Sequence, residues 1–371
     1  DFNQDRVRRI ATIVVVLTLV NTVILALATY KGVETMESTE FCGQACHAVM
    51  EPEATAHQAF AHASVGCVDC HVGPGMSSFV EAKLSGARQV WEVTWDSYPR
   101  PVPTPVHNMR PADETCGNCH SAGSWTGDRL KTIPHFEDDE ASTRTQTLLN
   151  MHVGGTRPDG SASGIHWHNA VEIRYQSDEA RETIYTVELT TADGEVKSFE
   201  PAEGPAEGVE TVWRTMDCTD CHNRPAHSFE TADRALARAL HDGRLDTSLP
   251  YLASHGQELL AGEYESHEAA RQEMPRLLAE RYDGGVAAGD VETAGAVLAD
   301  LWSANNFPHM NVGWGTYPVH IGHEDYPGCF RCHDDEHETA DGEAIAQDCE
   351  SCHAMVAIEE AEPEITALLN P

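Results

Sequence analysis

Three features of the sequence predict a mainly α-helical and irregular fold whose core is not built from side chains alone. The first is an uncharged N-terminal run of bilayer-spanning length. The second is a set of twelve cysteines that fall into six pairs, each closed by a histidine. The third is a pair of long cysteine-free stretches with opposite periodicities. Hydrophobic residues make up 41% of the chain, enough for a packed core, yet aromatic residues make up only 7%. A chain that wraps large bound aromatic groups needs fewer rings of its own.

Residues 10–28, IATIVVVLTLVNTVILALA, carry no charge and match the roughly 20 apolar residues a helix needs to cross a bilayer. Arg6, Arg8 and Arg9 precede the run, and Glu34, Glu37 and Glu40 follow it. The positive-inside bias therefore predicts a single-pass anchor in the inner (cytoplasmic) membrane. The N-terminus would be cytoplasmic, and everything beyond about residue 31 periplasmic or otherwise outside. A cleaved signal peptide is the competing reading, kept open by Ala26 and Ala28. Its apolar region would be shorter, about 7–15 residues, so an uncleaved anchor is the better expectation.

The cysteine pairs decide the chemistry. They are Cys42/Cys46-His47, Cys67/Cys70-His71, Cys116/Cys119-His120, Cys218/Cys221-His222, Cys329/Cys332-His333 and Cys349/Cys352-His353. Five have the two-residue gap of C-x-x-C-H, and the first has a gap of three. Two thiols at this spacing add across the two vinyl groups of one haem, and the next histidine then lies under the iron as an axial ligand. A disulfide scaffold or a zinc site would use paired cysteines too. Neither requires a histidine after every second cysteine, an arrangement expected by chance on the order of 10^-8 for a chain this rich in histidine. The fold class is accordingly a mainly α and irregular multihaem cytochrome c fold wrapped around six haems. It adds one N-terminal transmembrane helix and a small β-hairpin insert. At the first site, CGQACHAVM, either His47 or Met50 is a candidate iron ligand, and a methionine would raise that haem's potential.

Electron-transfer haems take a second strong ligand, so five or six of the fifteen remaining histidines should face an iron. His227 lies five residues past His222, His62 lies just before the second motif, and His323 and His337 bracket the fifth. In the run GIHWH, alternation puts His166 and His168 on one face, and one of the two, His168 by preference, is expected to ligate. His241, His255 and His267 sit in a polar helical stretch and read as surface residues.

Along the chain the expected divisions are an anchor over 1–30, a three-haem region over 31–120 and a haem-free insert over 121–217. A fourth site with a helical region spans 218–328, and a two-haem region spans 329–371. Within the insert, TIYTVELTTADGEVKSFE shows two extended runs around an Ala-Asp-Gly turn, a hairpin signal. Residues 228–305 carry Ala, Leu, Glu and Arg at helical spacing, read as several amphipathic helices.

The formal charge of −36, from 60 acidic and 24 basic residues, excludes nucleic acid as a partner of the soluble part. It suits a basic partner cytochrome or a salty milieu. Only four lysines occur: Lys31, Lys83, Lys131 and Lys197.

The stretch FCGQACHAVMEPEATAHQAFAHASVGCVDCHVGPG, directly after the anchor, resembles the NapC/NirT family of membrane-bound multihaem cytochromes. The resemblance continues through Lys83 and residues 110–120 and returns in CTDCHNRPAH. It implies oxidation of membrane quinol (menaquinol or ubiquinol) and delivery of electrons to a periplasmic cytochrome or other redox protein. It also implies that His227 is the distal ligand of the second haem and His62 that of the third. Lys83 is the candidate for contact with a quinol oxygen. The insert, GIHWH and the two C-terminal motifs look more like the longer inner-membrane members that supply electrons for extracellular respiration. Three features depart from the family pattern: the longer first gap, Gln89 and Val90 where a carboxylate is common, and a core split by the insert. The expected function is quinol dehydrogenation by a membrane-anchored hexahaem cytochrome. The alternatives are an electron-wiring subunit of a larger respiratory or photosynthetic complex with no quinol site of its own, and a cytochrome that reduces a small substrate at an open haem.

Overall fold

The computed structural model describes residues 4–45, 47–72, 75–106, 109–120, 127–156, 161–282 and 284–365. Cys46, the side chain of His47 and His107 lie outside the described residues.

Helix α1, Asp5–Met36, has 32 residues and no buried residue along its length. At 1.5 Å per residue it is about 48 Å long, so its ends extend past a hydrocarbon layer of about 30 Å. Its most apolar window has a mean hydropathy of 2.7. A core helix of such composition would be buried, whereas here Leu17, Leu25 and Leu27 all stand exposed. Two of the threonines inside the run return their hydroxyls to carbonyls one turn back, Thr18 to Val14 and Thr22 to Thr18, each at 2.8 Å. These two hydroxyls are thereby satisfied where lipid would surround them.

A π-helical turn at Phe41–Ala45 leads into α2 (His47–Gln58), α3 (Cys67–His71), α4 (Met76–Thr94) and α5 (Ala112–Thr115). The insert then forms strands β1 (Arg129–Phe136), β2 (Arg144–Met151), β3 (Gly155–Thr156) and β4 (Ala162–Ser163). After the turn at Ile165–Ala170 come β5 (Glu172–Ser177), β6 (Ile184–Thr190), β7 (Val196–Phe199) and β8 (Val212–Thr215). Helices α6 (Cys218–Cys221), α7 (Ala232–His241), α8 (Leu252–Leu260), α9 (His267–Ala279) and α10 (Ala288–Asn305) follow. The chain closes with α11 (Cys349–Cys352) and β9 (His353–Glu360).

The fold is therefore mixed helix and sheet, a correction to the mainly α expectation. Strands β6 and β7 pair antiparallel around the Ala-Asp-Gly turn, but they belong to a four-stranded sheet of order β7-β6-β5-β8. A second sheet has the order β1-β2-β9. Its first strand, RLKTIPHF, contains Pro134, which lacks a ladder N–H. The edge position of β1 tolerates that loss, and the proline masks the strand in the sequence. Strand β9 leaves the last motif and pairs with β2, setting His353 opposite Met151. This pairing ties the C-terminal motif to the insert.

Helices α7 to α10 form the largest side-chain core, with Leu252, Leu260, Met274, Leu278 and Leu298 fully buried. Each such residue contributes about 1.5–3 kcal/mol by leaving water. Thr231 and Ser266 cap α7 and α9 by accepting from the amides of Arg234 and Ala269. Close approach of α9 and α10 depends on Gly295, where an added Cβ would lie 2.4 Å from the Cα of Pro275. Gly295→Ala should therefore cost about 1–3 kcal/mol by forcing the helices apart. Gly289→Ala, on the same helix with open space around it, should leave stability unchanged or slightly higher. Thermal unfolding of the two variants checks the contrast.

Candidate haem sites and the membrane-proximal lysine

Each motif whose cysteines are both described sits on a single helical turn. Backbone bonds close these turns, from His120 N to the Cys116 carbonyl (2.7 Å), His222 N to Cys218 (2.8 Å) and His333 N to Cys329 (3.1 Å). One turn puts positions i, i+3 and i+4 on one face, so both sulfurs and the histidine address the same side. Asp217 and Asp348 start two of these turns by accepting from the amides of Thr219 and Glu350.

Opposite each of five motif histidines stands a second histidine from elsewhere in the chain. The ring centroids of His71 and His227 are 6.2 Å apart, and those of His120 and His62 are 5.9 Å apart. His222 faces His166 at 6.4 Å, His333 faces His168 at 5.9 Å and His353 faces His323 at 6.0 Å. Two imidazoles that bind one iron from opposite sides at about 2 Å hold their centroids about 6 Å apart. All five gaps fit that width. Burial pushes the imidazoles of His71, His166, His168, His222 and His353 down, favouring the neutral form that ligates metal. Several rings are also held from behind: His62 Nδ1 donates to the carbonyl of Pro225 (2.8 Å), His168 Nδ1 to Ile165 (2.7 Å) and His333 Nδ1 to Ala346 (3.0 Å). Such bonds fix the tautomer and aim the other nitrogen.

The motifs also neighbour one another in chain order. Burial raises the Cys70 thiol, and Cys116 and Cys119 raise it further. Cys218 feels burial and then Cys116. Burial pushes Cys221 up to about 11, with Cys329 next to it, and Cys352 feels burial and then Cys329. In a matured c-type cytochrome these sulfurs are thioethers and do not titrate, so the mutual influence records only their proximity. The second motif lies by the third, the third by the fourth, the fourth by the fifth and the fifth by the sixth.

The residues inside two of the motif gaps latch together. Asp220, within the fourth motif, is buried and accepts from Arg181 (3.0 Å), from the Asp217 amide (2.7 Å) and from the Tyr175 hydroxyl. Arg331, within the fifth, donates to the Asp220 carbonyl (2.7 Å) and to the carbonyl of Arg181. Burial and the Asp220 charge push the Tyr175 phenol far up, so it remains a donor. Sequence reasoning missed this latch, although the acid in CTDC and the base in CFRC are its signal.

At the first site, Cys42 lies in the π-helical turn and Met50 is half-buried on α2. Lys83 on α4 forms an ion pair with Glu37, at the end of α1, at 3.2 Å, and its ammonium lies 4.9 Å from the centre of the Phe79 ring. Helix α4 exposes an apolar stripe of Met76, Val80, Leu84, Trp91 and Trp95, both tryptophans at 64%. A stripe of this kind, tied to the end of a bilayer-length helix, suits the headgroup boundary.

Two other histidine placements differ from the sequence expectation. His166 faces a motif histidine as well as His168, because the turn at Ile165–Ala170 lets the two rings point to different motifs. His337 is buried with Nδ1 2.9 Å from the Asp334 carboxylate and Nε2 without a hydrogen-bond partner, and it belongs to none of the five pairs. Of the presumed surface histidines, His241 is exposed, while His255 and His267 are half-buried.

Paired cysteines closed by histidine, together with opposed imidazoles one iron's width apart, define a c-type cytochrome that holds haem covalently. Comparison with known proteins agrees. Residues 5–155 match the N-terminal region of the NapC/NirT cytochrome c family. The chain is 39% identical over 366 residues to the cytochrome c-type protein ImcH of Geobacter sulfurreducens, covering 96% of its own length and 72% of the relative's. No solved structure matches. The chain belongs to the NapC/NirT cytochrome c family, whose members are membrane-anchored, and membrane-linked electron transfer is what this membership implies.

Asp220→Ala should strand Arg181 and Tyr175 beside the fourth motif and cost about 3 kcal/mol or more. Thermal unfolding of the matured protein measures it, with the largest loss expected for Asp220→Ala and a smaller one for Asp220→Asn.

Proposed function

We propose that this chain holds six c-type haems and carries electrons from membrane quinol to a periplasmic redox partner. The observation that carries this reading is the set of five opposed imidazole pairs on motifs that neighbour one another in order. In the proposed ligand set, His71 pairs with His227, His120 with His62, His222 with His166, His333 with His168 and His353 with His323. His166 joins the set, and His337, whose buried Nε2 has no hydrogen-bond partner, stands outside these five pairs. The first haem is attached through Cys42 and Cys46, with His47 or Met50 as its ligand. Haem iron would supply reversible one-electron chemistry, and the chain's own part would be to hold each iron between its facing histidines.

The N-terminus is proposed to be cytoplasmic, with the haem-bearing part on the periplasmic face of the inner membrane. Lys83 supports a quinol contact there. It is a half-buried cation at the level where α1 ends, on a helix that carries an exposed apolar stripe. Its ammonium donates to a quinol oxygen, and Glu37 beside it is placed to take up a proton. The exposed acidic surface suits a basic docking partner, menaquinol or ubiquinol being the electron source.

Two measurements test this reading. Axial imidazole planes that lie near parallel split the iron d orbitals and give rhombic low-spin ferric signals, whereas crossed planes give a single large g value. The planes are 18°, 20° and 29° apart for the pairs of His71, His222 and His353, but 68° and 84° for those of His120 and His333. Low-temperature EPR should therefore show three rhombic and two large-g signals besides that of the first haem. For quinol oxidation, Lys83→Ala should slow quinol-dependent haem reduction roughly tenfold or more while dithionite still reduces every haem. An unchanged rate would favour the wiring-subunit reading.

A further inference from the structure

Glu53 lies on α2, the helix that begins at His47 and carries Met50, yet its carboxylate reaches the region of the second motif. Its Oε2 is 2.7 Å from Nδ1 of His227. Arg224, almost fully buried, donates through Nη2 to both carboxylate oxygens at 2.9 and 2.7 Å and through Nε to the carbonyl of His227 at 3.2 Å. The guanidinium is itself fixed over the rings of Tyr317 at 4.3 Å and Phe229 at 5.2 Å. Acid, base and imidazole thus form one locked unit.

The geometry settles the tautomer of His227. Nδ1 also lies 3.3 Å from Arg224 Nη2, a contact that would require a bare nitrogen as acceptor. The carboxylate contact is shorter and charge-assisted, and it requires Nδ1 to carry the proton. Both Glu53 oxygens already accept from the Arg224 guanidinium, so the carboxylate meets His227 as an acceptor. His227 donates from Nδ1, which leaves Nε2 bare on the side facing His71, whose ring is stacked at 18°.

We infer that Glu53 is a positioning residue for the iron of the second motif, fixing the His227 tautomer and strengthening that imidazole as a ligand through a carboxylate–histidine–iron relay. This inference rests on the proposed ligation of that iron by His71 and His227. A carboxylate behind a ligating imidazole raises its basicity and stabilises the more oxidised metal, so the second haem is held at a lower potential than the same pair would give without it. The relay also joins the first attachment site to the second, because the helix that carries Glu53 opens with the first motif's histidine.

The test is spectroelectrochemical titration with low-temperature EPR on the full-length, haem-loaded, detergent-purified protein and its Glu53→Gln, Glu53→Ala and His227→Ala variants. Glu53→Gln keeps the shape and an acceptor oxygen but removes the charge. It should retain the wild-type haem content, raise the midpoint potential of one haem and shift the g values of one rhombic signal. Glu53→Ala should move the same haem further in the same direction. If Glu53→Gln leaves every midpoint and every signal unchanged, or moves all of them together with a lower unfolding temperature, the inference is overturned and the carboxylate only braces the fold. If Glu53→Ala loses haem, the Gln variant alone decides. His227→Ala separates the two layers: it should convert one low-spin haem to high spin, and if it does not, the ligand assignment itself falls.

Discussion

Two flat rings facing each other across one iron's width are the constraint on which this architecture turns. The facing histidines come from distant parts of the chain: His71 on α3 meets His227 just after α6, and His353 at the start of β9 meets His323 from the loop before the fifth motif. Each pair closes a long loop, and loop closure is compensated where a strong bond forms at its ends. The backbone between the pairs is consequently free to be irregular. That freedom explains how short helical turns, three sheets and a helical block coexist around the facing histidines.

The rest of the protein keeps those rings still. Helices α7 to α10 carry no motif and form a packed apolar block. A second cluster around Phe229, Phe307 and Tyr317 joins that block to α2 through Ala56 and sits directly behind Arg224. The four-stranded sheet places Tyr175 against the fourth motif, and β9 hooks the sixth motif to the insert. Few of these supports are cationic beyond need. With only 24 basic residues against 60 acidic ones, the buried Arg224 and the half-buried Arg331 latch motif regions together.

What the sequence discloses follows from the range of each interaction. The anchor, the six attachment motifs and the helices of 228–305 are local patterns, and all are readable from neighbouring residues. His62, His227 and His323 are suggested by their places near motifs, the first two also by resemblance, yet His323 faces the sixth motif histidine rather than the fifth. Nearness in sequence also suggested His337, which stands outside the five pairs with Nδ1 against Asp334. His166 was passed over because alternation assumes an extended strand, whereas the chain there is a tight helical turn that splays the two rings. Strands β1 and β2 were hidden by Pro134 and by polar residues whose burial depends on β9, a partner some two hundred positions away. Glu53 gave no signal, since an isolated acid in a helix ordinarily faces water.

The measurement that addresses the ring-pair account most directly is an anomalous scattering map at the iron edge from crystals of the haem-loaded protein. The account predicts six iron peaks, five of them midway between His71 and His227, His120 and His62, His222 and His166, His333 and His168, and His353 and His323, in an unbroken row. Fewer peaks, or an iron lying outside any of these five gaps, would contradict it.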